Sequence, residues 1–203
     1  MKKFYLLALL GTLGVLYLSP TLAQSPRQTN PITTESTQEA ANIDSRYSQL
    51  QGYLKQQDWE AADQETYELM LKIAGSNSEK QGSFDLTEWQ NFSCSALKQI
   101  DKLWLEASDG RLGFSTQNKI LEEVQDYNVF YFRIGWKRQL LKDEWGVAWE
   151  YNQETQKAEY ITDKKPNFEQ PPDGHLPAKL EWETNPGDSP KDRRFEAIYR
   201  CNL

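Results

Sequence analysis

Histidine is almost missing from this chain. Its 203 residues include one, His175, beside two cysteines, Cys94 and Cys201. A closed zinc site takes four Cys or His ligands, so three in all exclude one. There is no Cys-x-x-Cys-His run to hold haem covalently. A Ser–His–Asp triad would have to use His175, and no G-x-S-x-G elbow accompanies it. The phosphate-cradling patterns G-x-x-x-x-G-K-[ST] and G-x-G-x-x-G are absent as well. Positive charge is in deficit, with 23 Lys and Arg against 30 Asp and Glu and a formal net charge of −7. Such a chain repels nucleic acid and anionic membrane surfaces. With so many carboxylates some close Asp/Glu pair is inevitable, so composition supports no glycosidase assignment. Metal and hydrolytic chemistry are therefore thinly supported by these residues, and no required cofactor is expected.

Long apolar runs are missing too. The longest, Phe4 to Leu18, falls short of the ~20 residues a spanning helix needs. Lys2 and Lys3 precede it and Ser19-Pro20-Thr21-Leu22-Ala23 follows, which is the layout of a secretory signal. The expectation is a signal peptide over residues 1–23, cut after Ala23, with no membrane span left; an uncleaved anchor is the alternative. Loss of Lys2 and Lys3 leaves 21 basic against 30 acidic residues and moves the formal charge from −7 to −9. Residues 24–42 are Ser, Thr, Gln, Asn and Pro with almost nothing apolar, and read as a flexible linker. Residues 43–203 remain, enough for one domain with a real core. An exported protein meets an oxidising compartment. A Cys94–Cys201 bridge is therefore expected, worth roughly 4–5 kcal/mol in the chain-entropy model. Two buried thiols are the other reading, since sequence does not supply the Cα distance.

What is present is helical periodicity. Leu97, Ile100, Trp104 and Ala107, widened by Leu103, mark one face of a helix beginning at Cys94. Asp109-Gly110 stops it, and after a tight turn Ser115 is placed to cap a second helix carrying Ile120, Leu121 and Val124. Upstream, Tyr47, Leu50 and Leu54 form a first stripe. Asp58 caps a helix with Ala62, Leu69, Met70 and Ile73 on its buried face, and Asp63 reads as a solvated or capping carboxylate. Gly75 to Ser83 reads as a loop. Tyr127 to Tyr151 holds eight aromatics, far above the 12% of the whole chain. Glu154 to Pro172 reads as a long polar connection. Phe195, Ile198 and Tyr199 close the chain as a short helical stripe.

Several of these segments carry a resemblance. NFSC-SAL-KQID-KLW followed by SDGRLGFSTQ resembles the core signature of the genomes-uncoupled tetrapyrrole-binding family. Ser93, Ala96 and Leu112 stand where its pattern has proline, aspartate and phenylalanine. Trp59, Ala62, Asp63, Thr66 and Met70 match its W-x-x-AD-x-x-T-x-x-x-L pattern, Trp136 its GW pair, and Pro172 to Pro177 its P-x-GHLP motif. The resemblance implies an all-α domain with two long ligand-binding loops and no catalysis. It implies protoporphyrin IX or Mg-protoporphyrin IX as ligand, and links the family to magnesium chelatase in chlorophyll synthesis. Export to a periplasm or thylakoid lumen would separate this chain from a chelatase subunit, so the expected role is a monomeric tetrapyrrole carrier or sensor. An exported interaction module without the porphyrin site is one rival; a secreted carbohydrate binder or hydrolase, with Trp145 and Trp149 stacking on sugar rings, is another.

By position the resemblance puts Leu86 and Trp89 in the first loop, with ordinary core packing the equal reading for Trp89. It puts Trp149, then Trp145, with Phe168 and Leu176 in the second. Arg193 and Arg194 are nearest to a basic pocket group, and Arg111, Lys164 and Lys165 are further rim cations. His175 reads either as an axial ligand to a metalloporphyrin or as a residue that orders its own loop.

Overall fold

Short polar side chains decide where the helices begin. In the computed structural model, which describes residues 45–142, 144–179 and 191–203, Asp58 accepts from Ala61 N at 3.1 Å and opens α2 (Trp59–Ala74). A 3₁₀ turn (Ser45–Tyr47) and α1 (Ser48–Lys55) precede it. Asp85 accepts from Glu88 N at 3.0 Å and opens α4 (Leu86–Gln90). Ser93 accepts from Ala96 N at 3.3 Å and opens α5 (Cys94–Ala107), so serine in place of the family's proline supplies a cap. Asp126 does the same for α7 (Tyr127–Arg133), at 2.9 Å from Val129 N.

Two starts are capped from a neighbour. Helix α6 (Phe114–Val124) has Gly113 at its N-cap, two residues before Ser115. Ser115 therefore does not cap it, as its sequence position suggested. The Asp101 carboxylate of α5 accepts from Ser115 N at 2.9 Å and from the Ser115 hydroxyl. Gly113, at φ +127°, makes this approach possible, because a Cβ there would lie 2.9 Å from Asp101 Oδ1. The stretch expected as a loop after Gly75 contains α3 (Ser76–Gln81). Glu88 of α4 accepts from Asn77 N at 3.0 Å, Ser78 N at 2.8 Å and Ser78 Oγ at 2.6 Å, and this holds α3 in place.

The core gathers on α5. Trp104 is fully buried, stacked on Trp59 with centroids 6.0 Å apart, and donates through Nε1 to Thr66 Oγ1 at 2.9 Å. The W-x-x-AD-x-x-T spacing thus sets Trp59 and Thr66, about two turns apart on one face of α2, against the Trp104 indole. Leu97, Ile100 and Leu103 are buried as their period predicts. Helix α8 (Lys191–Cys201) packs on α5 and α6 with Phe195, Ala197 and Ile198 inside. Tyr199, expected on that stripe, points outward and is half exposed. Cys94 and Cys201 form a disulfide with Cα atoms 5.1 Å apart, inside the usual range.

The fold is helical, as expected, with one addition. The connection after α7 contains an antiparallel hairpin, β1 (Trp149–Asn152) and β2 (Lys157–Tyr160), registered Trp149 to Tyr160 and Tyr151 to Ala158. Asn152 Oδ1 accepts from Glu154 N and Thr155 N and closes its turn. Among the described residues the chain forms eight helices and this one sheet, and no helix is long and apolar enough to cross a membrane. The expected signal peptide and linker lie outside the described residues.

Candidate functional site

The P-x-GHLP segment is a strap sewn onto the turn between α5 and α6. Gly113 N donates to Leu176 O at 2.9 Å, and Gly174 N to Arg111 O at 2.8 Å. Gln117 Nε2 donates to Gly174 O and to Pro177 O, each at 3.0 Å. Arg111 pairs with Asp173 at 3.0 Å and donates to Pro171 O at 2.6 Å. Arg111 is thus committed to the strap rather than to a ligand's rim. Gly174 is required here, since a Cβ at its φ of +73° would lie 2.8 Å from Ile120 Cδ1. The two most recognisable motifs of the sequence hold each other.

His175 sits at the centre of this seam, 2% exposed. Its Nε2 accepts from Asn167 N at 2.9 Å, which leaves the proton on Nδ1 for Ile134 O at 2.5 Å. Its carbonyl accepts from Trp136 Nε1 at 2.8 Å. Burial pushes the imidazole pKa down, with the Ile134 bond opposing, so the ring is neutral at pH 7. Both nitrogens are occupied, which corrects the axial-ligand reading and leaves the loop-ordering one. Among the described residues no three His, Cys, Asp or Glu side chains gather as a metal site would require.

Of the other expected site residues, Leu176 is fully buried in the core. Trp89 is buried between Phe84 and Phe92, with centroids 4.7 and 5.3 Å away, so packing alone accounts for it. Leu86 is 53% exposed on α4. Trp145 and Trp149 are both half-buried: Trp145 lies edge-on to Tyr131 at 5.1 Å, and Trp149 pairs with Tyr160 in the hairpin. Phe168, half-buried, meets Tyr160 edge-on at 6.1 Å. The side chains of Arg193 and Arg194 lie outside the described residues. The structure thus draws Trp149 and Phe168 to Tyr160, while Leu86 lies on α4, Trp89 packs with Phe84 and Phe92, and the Leu176 carbonyl is held by Gly113 N.

Sequence reasoning missed the residue that organises this region. Asp63 is 1% exposed, neither solvated nor a cap of its own helix. It accepts from Tyr160 Oη at 2.6 Å through Oδ2, and from Ala178 N at 2.6 Å and Lys179 N at 3.1 Å through Oδ1. Burial pushes its pKa up, and these bonds and the Lys179 charge oppose that. The Lys179 ammonium lies 6.0 Å from the Tyr67 ring and 5.6 Å from the Tyr160 ring, and donates to Gln64 Oε1. Burial pushes its pKa down. The available signal was spacing: Asp63 shares a helical face with Thr66, Tyr67 and Met70.

The hairpin thereby lies across α2 and α3 and leaves two cavities along the seam. One, about 270 Å³, is lined by Tyr67, Leu71, Lys72, Lys80 and Lys157 among others. The second, about 280 Å³, is lined by Glu60, Asp63, Glu159, Tyr160, Lys165 and Lys179, and Gln64 borders both. At the front of the same loop Leu140 and Leu141 are exposed, the latter at 95%.

The helical domain thus carries an aromatic hairpin over two small cavities. The profile of the GUN4-like family matches residues 40–185. The chain belongs to the GUN4-like family. It is 34% identical over 118 residues to the Arabidopsis thaliana "Tetrapyrrole-binding protein, chloroplastic", covering 52% of this chain and 44% of that protein. It is 32% identical over 116 residues to a "Ycf53-like protein" of Synechocystis, covering 56% and 49%. The chain therefore spans about half the length of the curated relatives it matches. Its structure resembles ligand-free Arabidopsis GUN4, with a TM-score of 0.50 and 28% identity over 79% of this chain and 93% of that one. It also resembles GUN4 of Chlamydomonas reinhardtii, at 0.53 and 25% over 79% and 89%.

Proposed function

We propose that this chain binds a tetrapyrrole, protoporphyrin IX or its magnesium form, between the hairpin loop and α2–α3, as a carrier or sensor rather than a catalyst. The supporting observation is that the family match covers every element bordering the cleft, in a chain whose Arabidopsis relative is named for tetrapyrrole binding. A macrocycle is a flat apolar plate with carboxylate arms, and needs aromatic and aliphatic walls with a few cations at the edge. Tyr67 and Leu71 offer walls on α2 and Tyr160 on the hairpin; Trp149, Phe168 and Trp145 border neither cavity and are proposed as walls that the loop brings to a bound ring. The arms would end at Lys72, Lys80 and Lys157, because the first cavity sets these three lysines against Glu68 and Glu79, whereas the second sets Glu60, Asp63 and Glu159 against Lys165 and Lys179. Burying several hundred Å² of plate at about 25 cal/mol per Å² supports micromolar binding after ordering costs. Arg193 and Arg194 are proposed as further cations. Export would place this activity in a periplasm or thylakoid lumen, away from a chelatase, where scavenging or buffering of tetrapyrroles is the fitting role.

The test is a titration of the chain from Gln24 onward with each porphyrin, followed by the Soret band and tryptophan quenching, with serum albumin as control. Saturable one-to-one binding at low micromolar or tighter is expected, with Trp149→Ala weaker by about tenfold. A shift no larger than nonspecific partition overturns the reading.

A further inference from the structure

The cleft is closed in this structure, and its fastenings are unequal. Three lie at exposed positions: Lys157 to Glu68 at 3.7 Å, Lys165 to Glu60 at 3.1 Å, and Tyr151 Oη donating to Gln81 O at 2.9 Å. Exposed ion pairs hold loosely, because water and salt screen them. The fourth is the Tyr160 hydroxyl on the buried Asp63 carboxylate, whose other oxygen holds the strap at Ala178 and Lys179. One side chain of α2 therefore secures the hairpin and the strap together. Behind it the Lys179 ammonium sits between the rings of Tyr67 and Tyr160. Tyr67 lines the first cavity and Tyr160 the second, so this group stands at the partition. Each cavity falls just below the roughly 300–1,000 Å³ of small-molecule sites, and their union falls inside it.

We propose that Asp63 and Tyr160 form the latch of the cleft: when their hydrogen bond opens, the hairpin lifts from α2, the partition at Lys179 is lost, and the two cavities become one site wide enough for a flat guest. The guest's identity rests on the tetrapyrrole reading; the latch does not. Tyr160→Phe removes one oxygen and leaves the ring that packs on Phe168. Tyr151→Phe, which removes the exposed tie to Gln81, is the matched control.

Hydrogen exchange followed by mass spectrometry reads the latch without any ligand. Tyr160→Phe is expected to speed exchange across residues 149–160 by about tenfold, the scale of one buried hydrogen bond, with the α5 amides unchanged. Tyr151→Phe stays within about twofold. Stopped-flow mixing with protoporphyrin IX is expected to show faster association for Tyr160→Phe. In the unmodified chain the observed rate should level off as porphyrin rises, because opening comes first. Hairpin exchange equal to wild type in a folded Tyr160→Phe overturns the latch. So does a rate that climbs linearly with porphyrin in the unmodified chain, which decides the matter even where the variant fails to fold. Faster exchange with no porphyrin binding in either protein removes the tetrapyrrole reading and keeps the latch. Porphyrin binding at unchanged rate and unchanged exchange does the reverse.

Discussion

Thr66 is fully buried, and its hydroxyl works in both directions, donating to Ala62 O at 2.7 Å and accepting from Trp104 Nε1. Valine has the same shape but no acceptor, so Thr66→Val leaves the indole N–H unpaired in the core. A loss of about 1–3 kcal/mol is expected in urea unfolding, with Thr66→Ser recovering part of it. Asp101 is a parallel case, because α6 has no cap of its own. Asp101→Ala should lower stability by about 1–2 kcal/mol and raise exchange in the first turn of α6, while Asp101→Asn costs less. His175 gives a pH signature. Its folded pKa lies below the ordinary value of 6.5 because the ring is buried. The unfolded chain therefore binds the extra proton first as pH falls. The stability from neutral His175 is complete above about pH 6.5 and declines as pH falls through the folded pKa, at no more than ~1.4 kcal/mol per unit. Unfolding midpoints from pH 8 to pH 5 should show that slope in the wild type and not in His175→Gln.

At the scale of elements, what the sequence made legible was what local chemistry decides. The apolar period set α5 and α6, and Asp58 set the start of α2, because each signal lies within a few residues of its effect. Helix α3 has no such signal. Its six residues, SNSEKQ, carry no apolar stripe, and its N-terminus is held by Glu88, ten residues beyond Ser78. Glu88→Ala should therefore bring the amides of residues 76–81 to the exchange rate of unfolded chain and leave α5 protected. The hairpin was hidden for a related reason. Each strand is four residues long, and the alternation of Trp149, Glu150, Tyr151 and Asn152 is too brief to stand out among charges. The candidate site inherits this unevenness. The aromatic loop could be read from composition. The spacing of Asp63 pointed to its burial on α2, but its partners Tyr160 and Ala178 could not be read, because they are 97 and 115 residues away.

Across the whole molecule the longest ties run from the late segments back to the early helices. Ala178 and Lys179 return to α2, Asn118 of α6 donates to Leu203 O at 3.0 Å, and the disulfide spans 107 residues. A loop of that length removes much of the unfolded chain's freedom, and the cross-link is worth roughly 4–5 kcal/mol before any loss to strain. That is a large share of the 5–15 kcal/mol by which domains are stable. Helix α8 does not depend on the bridge alone, since Phe195 and Ile198 are each 1% exposed. Cys201→Ser should therefore keep one cooperative transition and lower its midpoint substantially. Adding dithiothreitol to the wild type should reproduce the shift and leave Cys94→Ser/Cys201→Ser unmoved. The size of that shift bears on location. A chain that needs its bridge to stay folded at 37 °C works in an oxidising compartment, as the export proposal requires. A wild-type midpoint that does not change on reduction would remove the stability argument for export and leave the signal-like start of the sequence to carry it alone.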